Sequence, residues 1–167
     1  ICDVPSGEWK QFNDSGKLSE KYFLNDQGKK EGVYESYHEN GKLKDRGNYA
    51  ANKQTGEWFG FHENGKSSYI EIWSAGQLTG KSASWYENGQ KKSEGFYGID
   101  GKREGTWLEW HDNGNLMEKN TYSSGALNGI HETYYTNGQL AERYGVSLSA
   151  VKMAFYRVRS KAILSTS

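Results

Sequence analysis

The sequence predicts an all-β fold, an elongated single-layer antiparallel meander of about six β-hairpin repeats, closed by a C-terminal α-helical cap. Three observations predict it. A glycine recurs at Gly7, Gly32, Gly56, Gly80, Gly105 and Gly129, spaced by 25, 24, 24, 25 and 24 residues. Nine residues after each stands a second glycine (Gly16, Gly41, Gly65, Gly89, Gly114, Gly138), preceded by Asn in all units but the first, which has Ser15. The third observation is compositional: 34% of residues are hydrophobic and 14% aromatic, with a single proline. Such a chain has rings to stack between strands but too little Leu, Ile and Val for a two-layer interior.

The unit reads as a hairpin. Two residues after the first glycine come Trp9, Tyr34, Trp58, Ser82, Trp107 and His131, and five after it Phe12, Tyr37, Phe61, Trp85, Trp110 and Tyr134. Seventeen after it, in the middle four units, come Tyr49, Trp73, Tyr97 and Tyr122. Aromatic residues suit a pleated surface, and Asn-Gly fits a type I′ turn, whose central residues need positive φ. A second turn is expected near Gly28, Asn52, Gly76, Gly101 and Gly125, where the one-residue variation in length falls. Five full copies and a truncated sixth make a quasi-one-dimensional stack. At about 4.8 Å per strand its eleven or twelve strands would extend roughly 55 Å. Positions two and five have opposite parity, so either both faces carry rings or a bulge brings them to one face.

The motif Gly-x-Trp-x-x-Tyr/Phe-x-x-Asn-Gly-x-Leu resembles the bacterial variant of the MORN repeat. It is clearest in Gly32-Val-Tyr-Glu-Ser-Tyr-His-Glu-Asn-Gly-Lys-Leu43 and Gly105-Thr-Trp-Leu-Glu-Trp-His-Asp-Asn-Gly-Asn-Leu116. It covers residues 7–140. The resemblance implies a single-layer hairpin array that is antitoxin-like or a binding scaffold, with a protein partner on a long ridged sheet. The balanced charge gives the repeats no polybasic surface for anionic lipids.

Two domains follow: the repeat array over residues 1–140 and a basic tail over 141–167. The tail holds Arg143, Lys152, Arg157, Arg159 and Lys161 against Glu142 alone, net +4, so the neutral chain leaves −4 on residues 1–140. Leu148, Val151, Phe155, Val158 and Ala162 follow helical spacing, with Ser147 or Ser149 as a cap. The segment is similar to the helix-turn-helix of bacterial sigma factors, with Leu140–Ser147 as first helix and turn and Leu148–Arg159 as recognition helix. That resemblance implies Ser149 and Lys152 at bases and Arg157, Arg159 and Lys161 at phosphates. The tail is thus read as a cap on the last hairpin, a DNA contact, or a segment for a groove or membrane surface.

For function, the rings Trp58, Phe61, Trp85, Trp107, Trp110 and Tyr134 are the candidate partner-binding set. Most such rings stack structurally, but one layer cannot bury both of its faces. A carbohydrate is a lesser candidate ligand. His38, His62 and His111 share one repeat position, about 10 Å apart across a hairpin, too far for a common metal at about 2 Å. No Ser-His-Asp order, phosphate loop or Cys/His cluster points to catalysis, a metal or a cofactor. The expectation is a non-enzymatic interaction scaffold, with a DNA-binding regulator as the alternative. One cysteine, Cys2, and no apolar run of bilayer-spanning length favour a cytoplasmic location. The start at Ile1 leaves a secreted or lipoprotein form open.

Overall fold

The computed structural model describes residues 6–146 and 156–157. Its strands in chain order are β1 (Gly7–Phe12), β2 (Leu18–Leu24), β3 (Lys30–Tyr37), β4 (Leu43–Ala50), β5 (Lys53–Phe61), β6 (Ser67–Ser74) and β7 (Gln77–Trp85). There follow β8 (Lys91–Tyr97), β9 (Arg103–Trp110), β10 (Leu116–Ser123), β11 (Ala126–Leu127), β12 (Gly129–Tyr134), β13 (Leu140–Val146) and β14 (Tyr156–Arg157). They form one antiparallel sheet in sequence order, with the short β11 alone off the path, paired to β10. The pairs β1–β2, β3–β4, β5–β6, β7–β8, β9–β10 and β12–β13 are each one repeat, and the pairings between them join two repeats.

The first turn differs from the type I′ expectation. In the unit at His38, the amide of Gly41 donates to the His38 carbonyl and the amide of His38 donates to the Lys42 carbonyl, at 2.8 and 2.9 Å. Gly41 has φ +82°, while Asn40 is not among the positive-φ residues. This is a type I turn followed by a glycine bulge, the longer hairpin connection. Asn40 keeps ordinary φ because its side chain is engaged: its carbonyl oxygen accepts the Lys42 amide at 3.0 Å. The type I′ turns lie at the opposite edge instead, at Ala51-Asn52, Ala75-Gly76 and Ser124-Gly125, where both central residues have positive φ. The turns at Gly28 and Gly101 are again the longer type. Repeats of 24 residues therefore end in the two-residue turn, and those of 25 in the bulged one.

At each junction the first glycine of the motif creates a second irregularity. Arg46 pairs with Phe59 and Asn48 with Thr55, so residues 56–58 lie opposite Gly47 alone. Gly56 has φ +68° with nothing near its absent Cβ, so backbone conformation, not space, requires glycine there. The same shift recurs between β2 and β3, β6 and β7, and β8 and β9.

No helix occurs among the described residues, which overturns the expected helical cap. Leu140–Val146, read as the first helix of a helix-turn-helix, is strand β13, paired with β12 from Gly129↔Val146 to Tyr134↔Leu140. The reason lies in the repeat itself. Leu140 follows its Asn-Gly turn as Leu18, Leu43 and Leu116 follow theirs, and Tyr144 pairs with His131 as Tyr22 pairs with Trp9. An open strand edge at β12 outweighs a seven-residue segment's weak preference for a helix. Tyr156–Arg157, placed in the recognition helix by the same resemblance, form β14 against Tyr144 and Gly145. Ser149, Lys152, Arg159 and Lys161 lie outside the described residues.

Candidate functional site

The two faces of the sheet have different work. Strand alternation sends positions two and five of the repeat to opposite sides. Tyr34 packs against Tyr49 and Trp58 at ring-centroid distances of 5.4 and 5.6 Å, and Tyr49 against Trp58 at 5.2 Å. Tyr37, three residues beyond Tyr34, instead donates its hydroxyl to Glu35 at 2.8 Å on the other side. We call these the packed face and the open face.

The packed face substitutes for a core. Its ladder continues with Tyr97 against Trp107 at 4.8 Å and His131 against Tyr144 at 4.5 Å. Cations fill the gaps where rings end: Lys30 Nζ lies 4.2, 4.8 and 5.4 Å from the centroids of Tyr22, Tyr34 and Tyr49, and the Arg103 guanidinium 4.2 Å from that of Trp107. Across two junctions the facing residues compensate in size. Trp58 lies on Gly47 and Trp107 on Gly95, where an added Cβ would sit 2.2 and 2.1 Å from ring carbons. At the corresponding positions of the β6–β7 and β10–β12 junctions, Glu71 goes with Ser82 and Asn120 with His131, the last pair hydrogen-bonded through His131 Nδ1. Burial raises the Tyr34, Tyr49 and Tyr69 phenols above their ordinary value, with nearby carboxylates, Asp45 among them, adding to it. Tyr69 donates to Asp45 at 2.7 Å, which also accepts from Ser36 at 2.7 Å.

A hydrogen-bond latch ties the first-turn edge together. His38, His62, Tyr86 and His111 each direct Nε2 or Oη to a carbonyl of the next repeat, those of Phe61, Trp85, Trp110 and Tyr134, at 2.8, 2.9, 2.8 and 3.1 Å. Two residues on, the amide nitrogens of Asn40, Asn64, Asn88 and Asn113 donate to the carbonyls of Glu63, Glu87, Asp112 and Thr136. Each Asn thus caps its own turn and staples the next, which Asp could not do because it lacks the N–H donors. The histidine ladder is therefore a structural seam. Among the described residues no group of three or more His, Cys, Asp or Glu is placed to hold a metal.

The open face carries no ring ladder at its centre. Phe59, Ile70, Ile72, Ala83 and Leu108 are half-buried there, and Phe96 is exposed. Toward each end the same repeat positions turn ionic and pair internally: Glu8 with Lys10 and Lys21, Glu35 with Arg46, and Glu132 with Lys119 and Arg143. Two shallow troughs run across this face, one around Phe23, Val33 and Glu35, the other around Ala83, Phe96 and Leu108.

The six rings singled out from the sequence do not form one surface. Trp58 and Trp107 are 3% exposed, enclosed by the packed face. Phe61, Trp85, Trp110 and Tyr134 form a half-buried row on the open face below the first turns. The apolar centre beside that row escaped the sequence reading because its residues hold no constant identity. The available signal is positional: the strand site three after the motif glycine is apolar in the third to fifth units (Phe59, Ala83, Leu108) and charged in the others (Lys10, Glu35, Glu132).

The model of the MORN repeat variant matches this chain six times, at residues 5–26, 30–51, 54–73, 78–97, 103–124 and 127–144. The chain belongs to the MORN repeat variant family. Each MORN match contains one hairpin, and the last takes in most of β13, which the sequence resemblance had given to a DNA-binding segment. The MORN repeat is a non-enzymatic motif that generally binds proteins or membranes. No curated protein matches the chain. No helix among the described residues is long and apolar enough to cross a membrane.

Proposed function

We propose that this protein is a non-catalytic scaffold that binds a protein partner through the open face of its MORN array. The observation that carries the reading is the apolar centre of that face, Phe59, Ile70, Ile72, Phe96 and Leu108, bordered by ion pairs that already neutralise one another. Such a patch gains most from an apolar surface with a polar rim, as in protein interfaces. The packed face has less to offer at its centre, where Trp58 and Trp107 are enclosed. The row Phe61, Trp85, Trp110 and Tyr134 extends the apolar strip to the first-turn edge. A toxin is the partner that the antitoxin-like resemblance implies.

The test is capture from an extract of the source cells with the full chain as bait, beside Phe96→Glu and the turn variant Ile99→Ser. Loss of the captured protein with Phe96→Glu alone supports the reading. Retention by Phe96→Glu and by a second open-face variant, Leu108→Glu, refutes it. Recovery of vesicles instead of protein would move the function to membrane binding.

A further inference from the structure

Five Asn-Gly pairs stand at first turns, beginning at Asn40, Asn64, Asn88, Asn113 and Asn137. Asn-Gly is the dipeptide most prone to lose its side-chain amide, because glycine puts no Cβ beside the attacking nitrogen. Hydroxide takes the glycine N–H proton, and the nitrogen attacks Asn Cγ. The N–Cγ bond forms, the Cγ–Nδ2 bond breaks, and Nδ2 leaves as ammonia with a proton from water, which restores the hydroxide. Water then opens the cyclic imide at one of its carbonyls, leaving Asp or isoaspartate. The sum is Asn plus water giving the acid plus ammonia.

Neither the dipeptide nor access of water tells the five apart, since all five Asn are exposed. Their turns are also alike. The amides of Gly41, Gly65, Gly89, Gly114 and Gly138 each donate to the carbonyl three residues back, at 2.8 to 2.9 Å. Each Asn Oδ1 accepts the amide two residues on, at 2.8 to 3.0 Å. What differs is Nδ2. At Asn40, Asn64, Asn88 and Asn113 it donates to a carbonyl of the next repeat, at 3.0, 2.8, 2.7 and 2.7 Å. At Asn137 it donates to Gln139 Oε1, within its own turn, at 3.3 Å.

We propose that Asn137 is a site of spontaneous deamidation, and that the latch protects the four Asn that form it. For attack, Cγ must swing toward the glycine nitrogen into a near-attack geometry. A latched carboxamide cannot turn without withdrawing Nδ2 from a carbonyl on a neighbouring strand, which cannot follow. The partner of Asn137 Nδ2 is a side chain of the same turn, and it moves with the carboxamide. Protection matters at the four latched positions, because the Asp formed there has no donor for the next repeat. A sixth pair, Asn128-Gly129, precedes β12 in another backbone setting, its amide on the Thr121 carbonyl at 2.7 Å, and makes no matched comparison.

The test is incubation of the full chain in mildly alkaline buffer, followed by proteolysis and mass spectrometry of the peptides that carry each Asn. In guanidinium chloride the five should react alike. In the folded chain Asn137 should react about fivefold faster than Asn40, Asn64, Asn88 or Asn113, the scale of one hydrogen bond. Tyr86→Phe removes the neighbouring donor to the Trp110 carbonyl and loosens the junction on which Asn88 is latched. It should quicken Asn88 about threefold, as a partial loss of that scale, and leave Asn40 unchanged. A folded chain in which any latched Asn keeps pace with Asn137, including one in which none reacts, overturns the proposal. So does an Asn88 rate that Tyr86→Phe leaves unaltered.

Discussion

The packed and open faces are built from the same strands, yet they tolerate change very differently. On the packed face the two enclosed tryptophans each lie on a residue without a side chain: Gly47 under Trp58, Gly95 under Trp107. On the open face Val33 and Phe96 stand in solvent, and the apolar centre gives way to ion pairs toward each end. A single-layer sheet thus divides its two surfaces between holding itself together and remaining available. The packed face should behave in mutation like a core, although only Tyr22, Trp58 and Trp107 are buried hydrophobic residues among those described.

The largest effect should come from breaking a size-matched pair. Gly47→Ala places a methyl 2.2 Å from the Trp58 ring, and the strand cannot shift without losing its register. We expect a loss of about 3 kcal/mol or more, like that of Trp58→Ala. Val33→Ala on the open face should cost about 0.5 kcal/mol or less. Combining Gly47→Glu with Trp58→Ser copies the Glu71 and Ser82 pair and should cost less than the sum of the two single changes. Urea unfolding of the set measures this. Strict additivity would show that the pairs do not act as units.

Alkali should separate the faces next. Burial holds the Tyr34, Tyr49 and Tyr69 phenols above their ordinary value, so between about pH 10 and the folded values the folded chain binds more protons than the unfolded one. Stability from these groups is complete below pH about 10 and is lost as pH rises beyond it. Tyr69→Phe should reduce stability at neutral pH, because Asp45 loses a donor, and also make its alkaline decline shallower. Urea midpoints between pH about 8 and about 11, beside a spectroscopic tyrosinate titration, read both slopes. Parallel declines for wild type and variant would count against the assignment.

Much of this was legible in the sequence, and the exceptions share a cause. The repeat period, the hairpin unit and the second-turn positions follow from glycine spacing, because a local backbone conformation demands glycine wherever it occurs. What the spacing could not reveal is what a side chain does across a junction. The Asn-Gly dipeptide points to a type I′ turn, whereas Asn40, Asn64, Asn88 and Asn113 hold ordinary φ and reach the next repeat. Trp58 and Phe61 looked alike as aromatic positions, but strand parity places one inside the ladder and the other on the opposite face. The helix-turn-helix resemblance makes a helix of Leu140–Val146, where pairing to β12 prevails because the repeat has not ended.

The latch gives a smaller and more local effect. Asn88→Asp keeps the acceptor that caps the Gln90 amide at 2.8 Å but loses the donor to the Asp112 carbonyl. It should cost about 1 kcal/mol, and Asn88→Ala, which loses both, about 2 kcal/mol. Amide exchange should quicken at residues 110–115, on the far side of the junction, more than within the turn that carries the change. Protection lost only within residues 86–90 would reduce the Asn to a turn residue.

The smallest predicted effect is a gain, and it tests whether the packed face behaves as an interior. Glu71 is half-buried there, opposite Trp58 in register, and accepts from the Trp73 indole at 3.0 Å. Burial raises its pKa, Asp45 adds to the rise, and the indole hydrogen bond opposes it. For a carboxyl raised on folding, stability falls as pH climbs from the unfolded value, about 4.3, through the folded one, and at neutral pH the full penalty remains. Glu71→Gln keeps an acceptor for the indole and removes the charge. It should stabilise the protein at pH about 7 by about 0.5 kcal/mol, discounted for partial exposure, and by less at pH about 4. Glu94→Gln, on the open face beside Lys91 at 2.6 Å, removes a solvated ion pair and should give no gain at either pH. If the two variants respond alike at neutral pH, the packed face is no drier than the open one, and size matching alone distinguishes them.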